Sequence, residues 1–224
     1  MSAGRLNVRP TEKMTTSSIA EVLELYEDSA DAYSKMMDSE IDLPIYADTL
    51  GRLAERIADI PGPVIDTSCG PGHMLSRYHD CYDSGRSLLG IDLSPRMVAI
   101  ASARLGSHAE TVTGDMRDLG TVEADSASAV LSFFAIHHAD ARDVRAALDE
   151  WHRVLCPGGQ LVVAAWEGTG PIDYGSHSDV VALRYTEDEV VTWAREAGFV
   201  VNRCVVEPVE EIPMKAIYLE GTNT

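Results

Sequence analysis

Three aspartates stand where short β-branched runs give way to turns: Asp66 after Val64-Ile65, Asp92 after Gly90-Ile91, and Asp115 after Thr113-Gly114. A carboxylate at a strand end is rich in acceptors and suits a ligand that offers hydroxyl or amino donors. Asp66 is followed by Cys69-Gly70-Pro71-Gly72, whose glycines let backbone approach a ligand closely. The turn lacks the full G-x-G-x-x-G pattern of a pyrophosphate cradle and the lysine of a P-loop, so dinucleotide and ATP readings lose ground. Asp92, 20 residues beyond Gly72, can accept hydrogen bonds from both ribose hydroxyls of an adenosine. Asp115 can bind an adenine amino group, with Met116 against the ring. Each acid alone could be a turn acid or a helix cap. Their placement on successive strand ends makes coincidence the weaker explanation.

A second set of residues could act on an acceptor. His137 and His138 follow the apolar run that ends at Phe133-Phe134 and are the candidates for a base, His137 being preferred. The structural alternative is that one of them caps the next helix or supports a loop. His73 can hydrogen-bond a ligand or orient the helix it begins. Tyr26 and Tyr33 are seven residues apart and share roughly one helix face, where they can cover a ligand or seal the domain. Trp166, Glu167, Tyr174 and His177 surround a loop that could close a pocket.

The elements that must position these residues alternate. Helical stripes run from Ser17 through Met37 and from Tyr46 to Ile60. Short strands follow at Val64–Asp66, Ser87–Asp92, Ala109–Thr113, Ser128–Phe134 and Gln160–Trp166. Helices separate them: one from His73 to Tyr82, one opened by Ser94-Pro95 and reaching Leu105, and one marked by Val144, Leu148, Trp151 and Leu155 and stopped by Pro157-Gly158-Gly159. Thr186 and Glu189 fit a capping box for a helix ending near Gly198, and Phe199–Glu207 with Lys215–Leu219 make a terminal strand pair. This alternation predicts a mostly parallel sheet covered on both faces, with ligands bound beyond the carboxyl ends of the strands. Residues 1–16 are read as a flexible arm, 17–60 as an N-terminal helical cap, and 61–224 as the main domain, with 167–185 a loop on its acceptor side.

Composition narrows the partners. The chain has 224 residues and a formal charge of −18, with 18 Lys and Arg against 36 Asp and Glu. So few bases, in no run, disfavour a nucleic-acid footprint. No apolar run approaches the ~20 residues of a membrane span, so no membrane partner is expected. The 4 cysteines are widely separated and form no C-x-x-C pair, so no metal is expected. The chain opens without a basic segment and apolar signal stretch, so no secreted disulfide framework is expected and the reading is cytoplasmic.

Five segments in order, V-I-D-T-S-C-G-P-G, G-I-D-L-S-P-R-M, T-G-D-M-R-D-L, A-V-L-S-F-F-A-I-H-H and H-R-V-L-C-P-G-G-Q-L-V-V, cover about Val64 to Trp166. The series resembles the class I S-adenosylmethionine-dependent methyltransferases, in particular small-molecule enzymes with an N-terminal helical cap. The resemblance implies an α/β fold, a Rossmann-like three-layer sandwich whose seven-stranded, mostly parallel sheet has an antiparallel final strand. It implies S-adenosylmethionine as cofactor, with Asp66, Ser68, Cys69, Gly70, Gly72 and His73 near its methionine part. Asp92 and Leu93 would take its ribose, Asp115 and Met116 its adenine, and Phe133 would border the site. Ser68 departs from the family, which often has glycine there. Tyr26, Tyr33, Phe134, His137, Trp166 and Tyr174 would meet the acceptor. The implied activity is methyl transfer to an oxygen or nitrogen of a small molecule by in-line displacement, of a kind found in secondary metabolism, by a monomer or homodimer. Two alternatives stand beside it: an NAD-dependent oxidoreductase, and a non-catalytic protein that binds S-adenosylmethionine or a partner. The acid excess lies mostly in the flanks, which favours a neutral or cationic acceptor.

Overall fold

The computed structural model describes residues 15–172, 178–209 and 213–224. Most of the expected arm, and Tyr174 and His177 of the expected acceptor loop, lie outside those residues. Two helices come first, α1 (Ile19–Glu40) and α2 (Pro44–Arg56). Then β1 (Val64–Asp66), α3 (His73–Cys81), β2 (Leu88–Asp92), α4 (Pro95–Leu105) and β3 (Glu110–Thr113) carry the chain to one edge of the sheet. It returns through β4 (Ala127–Phe133), α5 (Ala141–Val154) and β5 (Leu155–Glu167), and closes with α6 (Glu187–Glu196), β6 (Phe199–Pro208) and β7 (Lys215–Asn223).

The sheet has seven strands in the order β3-β2-β1-β4-β5-β7-β6. Strands β1 to β5 pair in parallel, and β7 runs antiparallel to both β5 and β6. Strand order therefore reverses between β1 and β4, and the crevice opened there lies above their carboxyl ends. Both faces are covered, which is why the central strands read as unbroken apolar runs: every residue of β1 and β4 is buried. On one face Ile65, Val130, Leu161 and Val163 pack with α5 and α6 around Trp151. On the other, Val64, Ala129, Leu131 and Val162 pack with α2, α3 and α4 around Tyr78.

Two boundaries differ from the sequence reading. The Pro157-Gly158-Gly159 segment does not end α5, which stops at Val154. Pairing of Leu155 with Ala127 and of Gln160 with Ala129 loops out the residues between them, and Gly158 turns there at φ +83°. Strand β7 runs on to Asn223, four residues past its apolar stretch, because the Asn223 amide donates to the Leu155 carbonyl (2.6 Å) and Glu220 is held by Arg52 (2.7 Å). Among the described residues no helix is long and apolar enough to cross a membrane.

Candidate functional site

A cavity of about 280 Å³ opens over the ends of β1, β2, β3 and β4. Its floor is the turn Thr67, Ser68 and Gly70, with Asp92, Leu93 and Ser94 after β2, Asp115, Met116 and Arg117 after β3, and Phe133 to Ala135 after β4. Its far wall comes from the start of the chain: Ile19, Val22, Leu23, Tyr26 and Tyr33 of α1 face the same space as His138.

Asp92 is the best-prepared acceptor. The Gly70 N–H donates to one carboxylate oxygen (2.8 Å) and the Ser94 N–H to the other (2.9 Å). Each oxygen keeps a further lone pair, which suits the two adjacent hydroxyls of a ribose. Burial pushes the Asp92 carboxyl above its ordinary range, and the two backbone donors work against that shift. Asp115 has a different environment. Both of its oxygens accept from the Arg117 guanidinium (2.6–3.1 Å), one also takes the Arg117 N–H (2.9 Å), and Arg117 reaches on to Asp143 (2.5 Å). Burial raises the Asp115 carboxyl, but the bonds from Arg117 outweigh it and leave the group below its usual range. The neighbouring loop is pinned because the buried Trp151 indole donates to the Met116 carbonyl (3.0 Å).

The glycine turn is only partly cavity lining. Asp66 lies beneath it, buried, accepting the Ser68 N–H (3.2 Å), and desolvation, with Asp92 nearby, lifts its carboxyl to about 7. Cys69 is buried, and its Sγ lies 3.0 Å from where a Gly90 Cβ would stand. Gly72 abuts Ala101 and Leu105 of α4 at φ +83°, and His73 turns away to Asp38 of α1 (2.8 Å). All four residues were expected along the cofactor, yet none lines the cavity.

The two histidines separate. His138 lines the cavity, with Nε2 2.8 Å from the Tyr26 hydroxyl and the rings edge-on at 5.3 Å. His137 is buried behind it, its ring 4.0 Å from that of His138, and its carbonyl accepts the Leu183 N–H (2.7 Å). Burial pushes both imidazoles down, His138 to about 4 and His137 well below its usual value. Phe134 holds φ +50°, unusual for a bulky residue, with its N–H on the Ala164 carbonyl (2.9 Å) and its ring on Trp166 (4.5 Å between centroids). Trp166 thus backs the lining residue and does not face the cavity.

The sequence reading passed over Ser94, Met97, Arg117, Asp143 and the first turns of α1. Only Arg117 carried a local signal, two residues after Asp115. Among the described residues no group of His, Cys, Asp and Glu is arranged to hold a metal ion.

The strand order and the crevice above β1 and β4 define a doubly wound α/β protein. With β7 inserted antiparallel beside β5, the chain has the class I S-adenosylmethionine-dependent methyltransferase fold. Residues 64–159 match the methyltransferase domain family model. A malonyl-[acyl-carrier protein] O-methyltransferase of Hahella chejuensis is 34% identical over 130 residues, 52% of this chain and 44% of that protein. A carboxy-S-adenosyl-L-methionine synthase of Klebsiella pneumoniae is 31% identical over 121 residues, 51% of this chain and 48% of that one. The chain thus spans about half the length of the curated relatives it matches. Among solved structures, magnesium protoporphyrin IX methyltransferase from Synechocystis PCC 6803 superposes with a TM-score of 0.70 at 15% identity, covering 92% of this chain and 100% of that chain.

Proposed function

We propose that the protein transfers the methyl group of S-adenosylmethionine to an oxygen or nitrogen of a small neutral or cationic molecule. One observation carries the reading: a single cavity joins the prepared carboxylate of Asp92 to a wall bearing an imidazole and a tyrosine hydroxyl. The residues present fit the cofactor. Asp92 offers two acceptor directions for a ribose, and the carboxylates of Asp92, Asp115 and Asp143 face one guanidinium, which favours a cation. When bound, S-adenosylmethionine would supply an electrophilic methyl group on a sulfonium.

Asp92 would bind and orient. Asp115, held by Arg117, would offer the adenine amino group an ionised but already occupied acceptor, so Met116 would carry more of the contact there. His138, neutral through physiological pH, would accept the proton that an O–H or N–H acceptor gives up, and Tyr26 would hold the imidazole in place. The apolar side chains of Ile19, Val22, Leu23 and Phe134 would exclude water from the acceptor, and alignment would supply much of the rate. The acid-rich lining argues against a carboxylate acceptor. Arg117, the one Lys or Arg among the described residues of the cavity, is already paired with two aspartates.

The test is calorimetric binding of S-adenosylmethionine, its demethylated product, NAD and ATP, followed by mass spectrometry of acceptor mixtures. Asp92→Ala should weaken S-adenosylmethionine binding about 30-fold, since bonds to a charged acceptor contribute about 2 kcal/mol. Affinity within threefold of wild type in a folded variant, or preferential NAD binding, would overturn the reading.

A further inference from the structure

Helix α1 covers the cavity although little apolar surface holds it there: of its 22 residues only Val22, Ala30 and Met37 are buried. Its attachment is largely polar: the Tyr26 hydroxyl meets His138 (2.8 Å), and the carboxylates of the helix fall into two further groups. At the C-terminal end Asp38 binds both His73 (2.8 Å) and Arg104 (2.8 Å), and Arg104 also donates to the Pro71 carbonyl of the glycine turn (3.0 Å). Near the middle of the helix Asp31 pairs with Arg96 (2.8 Å), and in the N-terminal half Glu27 reaches the first turn of α4. There one Glu27 oxygen accepts from the Ser94 hydroxyl (2.6 Å) and from the Arg96 N–H (3.0 Å).

Ser94 stands between two carboxylates. Its hydroxyl donates to Glu27 and accepts the Met97 N–H (3.0 Å), while its own N–H donates to Asp92 (2.9 Å). Asp92 in turn takes the Gly70 N–H (2.8 Å). A continuous line of hydrogen bonds therefore runs from the cap helix through the N-terminus of α4 and the proposed ribose acceptor to the glycine turn. Glu27 is itself exposed, and the bonds from Ser94 and Arg96 hold its carboxyl below the ordinary range.

We propose that Glu27 is the latch of a cofactor lid: the N-terminal half of α1 pivots about the Asp38 attachment, and cofactor passes only when Glu27 lets go of Ser94 and Arg96. Glu27 is then a positioning residue, acting on cofactor through Ser94 and Asp92. The physical reason is the kind of attachment. Exposed charged contacts are weak singly and exchange readily with water, whereas an apolar seam would hold the helix shut. A charge at a helix N-terminus adds directionality, since the free N–H groups of α4 favour an anion there.

The inference rests on the proposed cofactor, so its test has one arm that needs no ligand. Hydrogen exchange of the free protein should show the amides of residues 22–30 exchanging about fivefold faster in Glu27→Ala, with those of α3 and β1 unchanged. Glu24→Ala, on the same helix but facing an outer groove beside Ser178 and Val180, should match wild type. In the second arm, Glu27→Ala should speed both association and dissociation of S-adenosylhomocysteine about fivefold, with the dissociation constant moving less. Glu27→Gln, which keeps an acceptor for Ser94, should fall between. Equal exchange in Glu27→Ala and wild type, or equal acceleration by Glu24→Ala, would overturn the latch. If wild type binds neither S-adenosylmethionine nor S-adenosylhomocysteine, the functional reading fails while hydrogen exchange still decides the latch.

Discussion

His137 and His138 are neighbours in sequence, and only the three-dimensional arrangement tells them apart. Both follow β4 at the binding edge, which residue order alone could establish, and the order gave a slight edge to His137. In the fold, His138 faces the cavity and Tyr26, while His137 is packed behind it. A single 3-10 turn, Ile136–His138, points successive side chains in different directions, and which direction meets the cavity depends on where α1 lies. His138→Ala should lower kcat about 100-fold with the dissociation constant for S-adenosylmethionine unchanged, the scale expected of a general base. His137→Ala should instead lower thermal stability with a smaller loss of turnover. Because burial lowers the His138 imidazole to about 4, turnover should stay flat from pH 8 to pH 6 and fall only as pH approaches 5 and below, which a pH profile of kcat would show.

Elements were more legible than residues, because caps and turns are local chemistry. Ser94 accepts the Met97 N–H, and Thr186 with Glu189 forms the reciprocal capping box its spacing suggested. Pro157-Gly158-Gly159 misled for the opposite reason: the same residues that stop a helix also loop out a strand, and pairing with β4 selected the second use. Gly62 has a backbone conformation that only glycine adopts easily. It enters β1 at φ +111°, and an added Cβ would sit 2.2 Å from the Ser126 carbonyl oxygen. At Gly170, φ +78°, nothing lies within 4 Å. Urea denaturation should therefore show Gly170→Ala costing about 1 kcal/mol of backbone strain and Gly62→Ala at least about 3 kcal/mol, or failing to fold.

At the scale of the whole molecule the net charge of −18 has specific uses. Carboxylates of α1 and the residues after it meet Arg77, Arg96 and Arg104 of α3 and α4, so part of the acid excess docks the cap onto the core. Buried imidazoles set the response to acid. His73, His137 and His138 are all held below their ordinary values, chiefly by burial, so the unfolded chain takes up protons near pH 6.5 that the folded one refuses. Stability from these groups is present above about pH 6.5 and is lost as pH falls toward 4. Asp66 acts in the opposite sense: raised to about 7, it destabilises the fold as pH climbs from about 4 through 7. Thermal melting should show the midpoint falling from pH 6.5 to pH 4.5, a shallower fall in His138→Gln, and a higher midpoint for Asp66→Asn at pH 8 that converges on wild type toward pH 4.

The alternation of buried strands and capped helices, the three acids at strand ends and the glycine turn were all readable by themselves. They depend on neighbours a few residues away, so periodicity and turn chemistry determine them. The long-range pairings were not readable: Tyr26 with His138, Arg117 with Asp143, and Glu27 with Ser94. Each joins side chains that are distant in sequence and brought together by the docking of one packed element on another. That docking decided which of the candidate residues share one cavity.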